Sequence, residues 1–171
     1  MARIIRKEAV YPYPPEAVWV ALTDRHALAE WLMPNDFEPV VGRKFRFQID
    51  PKAGCSTLTE CELLAYDPPR RMVWSWVMVP KKPNAPRHKP MTITWTLQPE
   101  GEGTRLVLEH AGAEAIDWVS RFGMNMGWGI MVKRWILRVV GNVHDGRFTP
   151  GAIPLHKRCY KVKTLSKDFT W

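Results

Sequence analysis

The sequence has few cysteines and no long apolar run, and both absences narrow the class of protein. Its three cysteines, an odd number with no Cys-x-x-Cys pair, favour reduced thiols over a disulfide framework. The most apolar stretch, residues 127–140, is interrupted by three basic residues and is too short to span a bilayer. The first ten residues carry charges where a secretory signal has its apolar region. We therefore expect a soluble, cytoplasmic protein without a transmembrane segment.

Motifs of nucleotide chemistry and of serine hydrolysis are also missing. The sequence has no phosphate-cradling glycine loop, no Gly-x-Ser-x-Gly elbow and no recognisable Cys/His signature. The histidines and cysteines show no metal-ligand spacing. They are His26, His88, His110, His144, His156, Cys55, Cys61 and Cys159. We expect neither a metal nor a cofactor.

The length and composition favour one domain followed by a tail. A chain of 171 residues with 46% hydrophobic and 25% charged residues can bury one substantial core. Nine tryptophans indicate a roomy or partly wet interior, because each indole N–H needs a hydrogen-bond partner. We expect a domain over residues 1–141 and an extension over 142–171 that packs on it or is partly mobile.

A formal net charge of +8 raises the question of an anionic partner. The basic residues concentrate in a proline-rich connection, residues 80–90, and in a tail, residues 155–163. Their simplest interpretation is a solvated surface that aids solubility. The alternative is a patch for an acidic protein such as a chaperone, for an anionic membrane, or, least favoured, for nucleic acid.

Hydrophobic periodicity predicts a strand, two short helices, further strands and a long helix. Prolines stop the first strand, residues 3–11, and helical spacing follows as far as Leu32. The period then changes to two, and the short links favour an antiparallel meander. Its strands are predicted at 45–49, 57–66, 72–78, 91–97 and 104–110. An apolar stripe from Trp128 to Val139 predicts the long helix. Glycines weaken its N-terminal part, so we expect that end to be irregular or to begin late.

Several short segments carry a family resemblance over roughly residues 3–140. They are Val18-Trp19, Ala21-Leu22-Thr23, Trp31, Gly42 with Phe45 and Phe47, Asp67-Pro68-Pro69-Arg70-Arg71, Trp74-Ser75-Trp76, and Gly103-Thr104-Arg105-Leu106 running to His110. Their order resembles the START-like, or SRPBCC, superfamily, and within it the homologues of the activator of the heat-shock-protein-90 ATPase. The resemblance implies an α+β helix-grip fold, in which a curved antiparallel sheet wraps around a long C-terminal helix and two short helices follow the first strand. It also implies a hydrophobic ligand held between sheet and helix, with catalysis in a minority of members.

Strand alternation, with the long helix as a roof, predicts the wall of that cavity. The predicted residues are Phe45, Phe47, Cys61, Leu63, Trp74, Trp76, Ile93, Trp95, Leu106, Leu108, His110, Trp128, Met131 and Trp135. A lining of aromatic and methionine side chains suits a flat or flexible apolar ligand. The alternative is that these side chains fill the core completely.

His110 is the one candidate for catalysis, because its alternation with Leu106 and Leu108 points it inward. No positioned partner is evident, since Glu60 and Glu62 have the opposite parity and Asp117 lies in an uncertain loop. A lone inward histidine is more often a hydrogen-bonded structural residue.

Three functions are compatible with the sequence, and binding is preferred over catalysis. The first is binding of a small hydrophobic molecule for sequestration, transport or sensing. The second is a cyclase-, dehydratase- or hydrolase-like enzyme with His110 as acid or base, which would need a second polar group beside that histidine. The third is an interaction protein that uses the basic connection and tail. The chain is expected to be a monomer or a homodimer.

Overall fold

A six-stranded antiparallel sheet forms the body of the protein in the computed structural model, which describes residues 4–50, 57–80 and 84–162. The strands are β1 (Ile5–Tyr11), β2 (Lys44–Gln48), β3 (Leu58–Asp67), β4 (Arg71–Met78), β5 (Met91–Glu100) and β6 (Gly103–Ala111). They lie in the order β1-β6-β5-β4-β3-β2, so β1 pairs with β6 and the later strands form the predicted meander. The α+β helix-grip fold expected from the sequence is confirmed.

Two short helices connect β1 to β2, as the helical spacing predicts. Helix α1 (Pro15–Thr23) begins with a proline in its first turn, where the missing N–H costs no hydrogen bond. Helix α2 (Arg25–Trp31) begins at Asp24, whose side chain accepts hydrogen bonds of 2.9 Å from the backbone N–H groups of His26 and Ala27. Both helices bury their apolar faces in the core that they share with the sheet.

The long C-terminal helix spans 23 residues and has three parts. These are α3 (Trp118–Ile130), a π-helical turn (Met131–Trp135) and α4 (Ile136–Val140). The expectation of a late or irregular start is wrong, because the helix begins well before its glycines. Asp117 caps that start with its side chain, which stabilises the first turn and offsets the low helix propensity of glycine. The irregularity lies after the glycines, in the π-helical turn.

A buried tyrosine connects the π-helical turn to the first strand. The Tyr11 hydroxyl donates a hydrogen bond to the backbone carbonyl of Val132. A π-helical turn disturbs the regular α-helical hydrogen bonding, so a carbonyl there needs an outside donor. Burial raises the pKa of Tyr11 well above its ordinary value, which keeps the hydroxyl protonated as that donor.

The segment after α4 is held against α2 by one buried carboxylate. It forms a small hairpin, β7 (Val143–His144) and β8 (Arg147–Phe148), and the residues after the hairpin contact Glu30 of α2. The Glu30 carboxylate accepts hydrogen bonds from the backbone N–H groups of Gly151 and Ile153, the latter at 2.7 Å, and pairs with Arg158 at 3.0 Å. These contacts hold residues 151–158 on the body.

Candidate functional site

The inner face of the sheet carries the aromatic side chains that alternation predicts. All the strand residues of the predicted wall are buried, from Phe45 on β2 to His110 on β6. They pack edge to face, with the Trp74 ring centroid 5.6 Å from Phe45 and 5.9 Å from Trp95. Such packing leaves little space between the rings. This part of the interior is therefore a filled core.

A cavity of about 630 Å³ lies beside that core, between α3 and the β3–β4 side of the sheet. Trp76, Trp128 and Met131 of the predicted wall line it. The other predicted wall residues pack in the adjacent core, with Trp135 half-buried against it. The remaining lining is Leu32, Met33, Ile49, Thr59, Met78, Val79, Pro80, Ala85, His88, Asp117, Ser120, Gly123, Met124, Gly127 and Tyr160. The predicted wall is thus divided, with three of its residues at the cavity and the others in the core beside it.

Glycines on α3 provide the space for this cavity. Ser120, Gly123, Gly127 and Met131 recur every three or four residues, so they share one face of the helix. A Cβ atom added at Gly123 or at Gly127 would meet nothing within 4 Å. The glycines that weaken the helix in the sequence therefore leave its cavity-facing side bare.

Polar groups at the start of α3 border the cavity. The Asp117 carboxylate accepts hydrogen bonds from the backbone N–H groups of Val119 and Ser120 and, at 2.6 Å, from the Ser120 hydroxyl. The hydrogen bonds from Ser120, the hydroxyl first, hold the pKa of Asp117 below its ordinary value. An aspartate just before a helical stretch is the sequence signal for such a cap, and Asp117, expected in a loop, provides it. The basic connection also reaches the cavity, through Pro80, Ala85 and His88, while its residues 81–83 lie outside the described ranges.

His110 is fully buried on β6 beside the cavity and is held by an indole. Its Nδ1 atom accepts a hydrogen bond of 2.9 Å from Trp128 Nε1. Burial lowers the pKa of His110 to about 4, so the imidazole is neutral near pH 7. Because Nδ1 is the acceptor, the proton of the neutral ring lies on Nε2. Nε2 has no hydrogen-bond partner among the residues that the structure describes.

Three indoles, like His110, have a buried N–H group without a hydrogen-bond partner in the described structure. Trp74, Trp76 and Trp95 each have a buried Nε1 without an acceptor in the described part of the chain. The Trp76 ring lies 6.2 Å from the His110 ring and 5.8 Å from that of Trp128, centroid to centroid. The unpartnered groups are all N–H donors, so each lacks a hydrogen-bond acceptor.

The other polar residues considered in the sequence lie elsewhere. Glu60, on β3, pairs with Arg87 of the basic connection at 2.6 Å, and neither residue lines the cavity. No three His, Cys, Asp or Glu side chains within the described ranges are grouped so that they could hold a metal ion. None of the helices described is long and apolar enough to cross a membrane.

Two of the three cysteines lie in the described ranges, and both are free thiols. Cys61 is buried in the core, where burial raises its pKa well above the ordinary value. Burial likewise raises the pKa of Cys159 to about 12. Both are therefore thiols, not thiolates, near neutral pH. Cys55 lies outside the described residues.

The sheet, the helix laid across it and the cavity between them define a START-like, or SRPBCC, protein. Residues 12–136 match the model of a family described as Activator of Hsp90 ATPase homolog 1-like protein. Since the match spans most of the chain, the protein belongs to this family, as the sequence motifs predict.

Solved structures share the fold over most of their length. The protein MLL2253 from Mesorhizobium loti is 29% identical, with 83% of this chain and 99% of that chain covered and a TM-score of 0.67. The protein BH1534 from Bacillus halodurans is 24% identical, with 82% and 99% covered and a TM-score of 0.62. Ms6760 from Mycobacterium smegmatis is 19% identical, with 81% and 91% covered and a TM-score of 0.66. The last two show a shared fold only. No curated protein matches the sequence.

Proposed function

We propose that the protein binds a small apolar molecule in the cavity between the sheet and α3, for sequestration, transport or sensing. The observation that carries the proposal is the cavity of about 630 Å³, because small-molecule sites in proteins have volumes of roughly 300–1,000 Å³. Its lining combines Trp76 and Trp128 with methionines such as Met124 and Met131. Methionine side chains adapt to irregular shapes, so the lining suits a flat or flexible ligand.

The unpartnered donors beside the cavity narrow the class of ligand. Trp76 lines the cavity and also has an Nε1–H without an acceptor among the described residues, and the neutral His110 ring adds a second such donor next to it. A buried donor without a partner costs free energy, which an acceptor on the ligand would recover. We therefore favour an apolar molecule that carries an acceptor such as a carbonyl oxygen.

The glycines of α3 provide a matched pair of variants that tests the site. Gly127→Leu places a side chain in the cavity lining, whereas a Cβ atom at Gly129 lies 3.8 Å from Cε of Lys7 and outside the lining. Both substitutions raise the helix propensity by a similar amount, about 1 kcal/mol. The assay is a fluorescence titration with the uncharged probe N-phenyl-1-naphthylamine. We expect Gly127→Leu to weaken its binding at least about tenfold, a change of about 1.4 kcal/mol, and Gly129→Leu to leave it unchanged.

Equal binding of the probe to both variants would place the site elsewhere. Absence of probe binding by the wild-type protein, together with no co-purified small molecule in native mass spectrometry, would remove the proposal altogether.

The arrangement around His110 favours binding over catalysis. An acid–base role needs a second polar group that positions the imidazole for proton transfer. In the described structure the group bonded to His110 is the indole of Trp128, which occupies Nδ1 as a donor. With its pKa lowered to about 4 by burial, the ring is neutral near pH 7 and is not charged to act as a general acid, although its Nε2–H can still donate a hydrogen bond.

A further inference from the structure

The outer face of α3 is an exposed apolar stripe that neither the core nor the cavity uses. Four of its side chains are exposed by 71% (Trp118), 61% (Phe122), 51% (Met126) and 44% (Ile130). Their spacing of four residues places them along one side of the helix. Trp128 is the one residue of α3 that is buried. Most of α3 therefore presents its apolar side chains to the surroundings.

This stripe continues onto the first strand. A groove between β1 and α3 is lined by Ile4 and Ile5 on one side and by Trp118 and Phe122 on the other. Clustered aromatic side chains at the surface of a soluble domain indicate an interaction site, whereas scattered single ones do not. The stripe is about 18 Å long, since its ends are twelve residues apart at 1.5 Å per residue.

The charge around the stripe identifies the kind of partner. Arg121 lies within the stripe, and Lys133, Arg134 and Arg138 follow its end, whereas the nearest acidic residue on the helix is the cap Asp117. Arg121 and Arg6 line the groove next to the aromatic side chains, and Arg6 is also paired to Glu8 at 2.8 Å and to Glu109 at 3.8 Å. A second copy of this chain, with its net charge of +8, would bring like charges together. An anionic surface would instead be attracted.

We propose that the outer face of α3 docks on the surface of an anionic lipid bilayer. Helices that lie in a membrane interface combine aromatic and aliphatic side chains on one face with flanking Lys and Arg, as this helix does. Tryptophan prefers the level of the lipid headgroups, where its ring is apolar and its N–H stays hydrated. The docking does not depend on the ligand-binding proposal, because the cavity lies on a different face of the helix.

The test uses flotation of the full-length protein with phosphatidylcholine vesicles, with and without phosphatidylserine. The variant Trp118→Ser/Phe122→Ser removes the two most exposed aromatic side chains of the stripe. Its control, Val40→Ser/Val41→Ser, removes apolar side chains that are 54% and 58% exposed in the loop before β2. All four positions are exposed, so we expect every variant to keep the wild-type thermal unfolding midpoint.

We expect the wild-type protein to float with the phosphatidylserine vesicles and to be released by salt, because salt screens the attraction between surface charges. The stripe variant should bind at least about tenfold more weakly, since two large side chains leave the interface, and the control should bind like the wild type. Absence of wild-type binding at low salt, or equal binding of both variants, would overturn the proposal. So would a wild-type dimer that the stripe variant converts to a monomer, because the face would then join two copies.

Discussion

Replacement of His110 by asparagine tests the buried imidazole through the pH dependence of stability. The Asn carbonyl oxygen can take the place of Nδ1 as the acceptor for Trp128 Nε1, whereas it has no proton to gain in the pH range of interest. The variant therefore removes the titration of His110 and keeps an acceptor for the indole. Any change in the pH dependence of folding then reports on the histidine itself.

The magnitude follows from the difference between the two states of the chain. Burial lowers the pKa of His110 to about 4, against an ordinary value of 6.5 for the exposed side chain. Between these values the unfolded chain binds a proton that the folded protein does not, so the free energy of unfolding falls as the pH falls. The folded protein keeps its full free energy of unfolding above pH 6.5, and this free energy decreases as the pH falls from 6.5 toward 4. Between pH 7.5 and pH 4.5 the wild type should lose roughly 2–3 kcal/mol more than the variant.

The assay is urea unfolding of both proteins, followed by tryptophan fluorescence at a series of pH values. The comparison uses the difference in slope between the two proteins, because other titrating groups contribute equally to both and asparagine changes the stability at all pH values. The His110 ring resonances, which the variant lacks, give the pKa directly by NMR. Parallel stability curves, or a His110 pKa near 6.5, would refute the buried and neutral imidazole.

Two further substitutions test the contacts that fix the helix and the C-terminal segment. Tyr11→Phe should lower the free energy of unfolding by about 1–3 kcal/mol, because the buried carbonyl of Val132 loses its donor; an unchanged urea midpoint would show that this hydrogen bond contributes nothing. Glu30→Gln should cost about 3 kcal/mol or more, because Arg158 loses a buried counter-charge, and should speed proteolysis within residues 149–158; the same cleavage rate as the wild type would contradict that anchoring.

The strands and their inner faces could be predicted from the sequence because alternation is a local property. Phe45 and Phe47, or Trp74 and Trp76, lie two residues apart, so one face of a strand must carry both. Alternation likewise places His110 inside. It could not reveal that Trp128 donates to His110, because that hydrogen bond joins residues on two elements whose packing no local period describes.

The start of the long helix and the position of the cavity could not be predicted from local periodicity and helix propensity. The glycines of α3 indicate a weak helix when only propensity is considered, and the prediction of a late start followed from that. In the folded chain Asp117 caps the helix. Gly123 and Gly127 line the cavity, so the residues that lower the helix propensity are also the ones that leave room for the cavity. Most of the predicted wall lies in the filled core because the rings of Phe45, Trp74 and Trp95 interlock there.

The family, the order of the elements and the side chains that turn inward can be inferred from the chain alone, because they depend on motifs and on periods of two and 3.6 residues. The folded structure shows which inward side chains fill the core and which border the cavity, because that depends on how α3 packs against the sheet. It also decided that Trp118, Phe122, Met126 and Ile130 remain exposed. A residue's neighbours across the fold, and not its neighbours in the chain, determine whether an apolar side chain is covered.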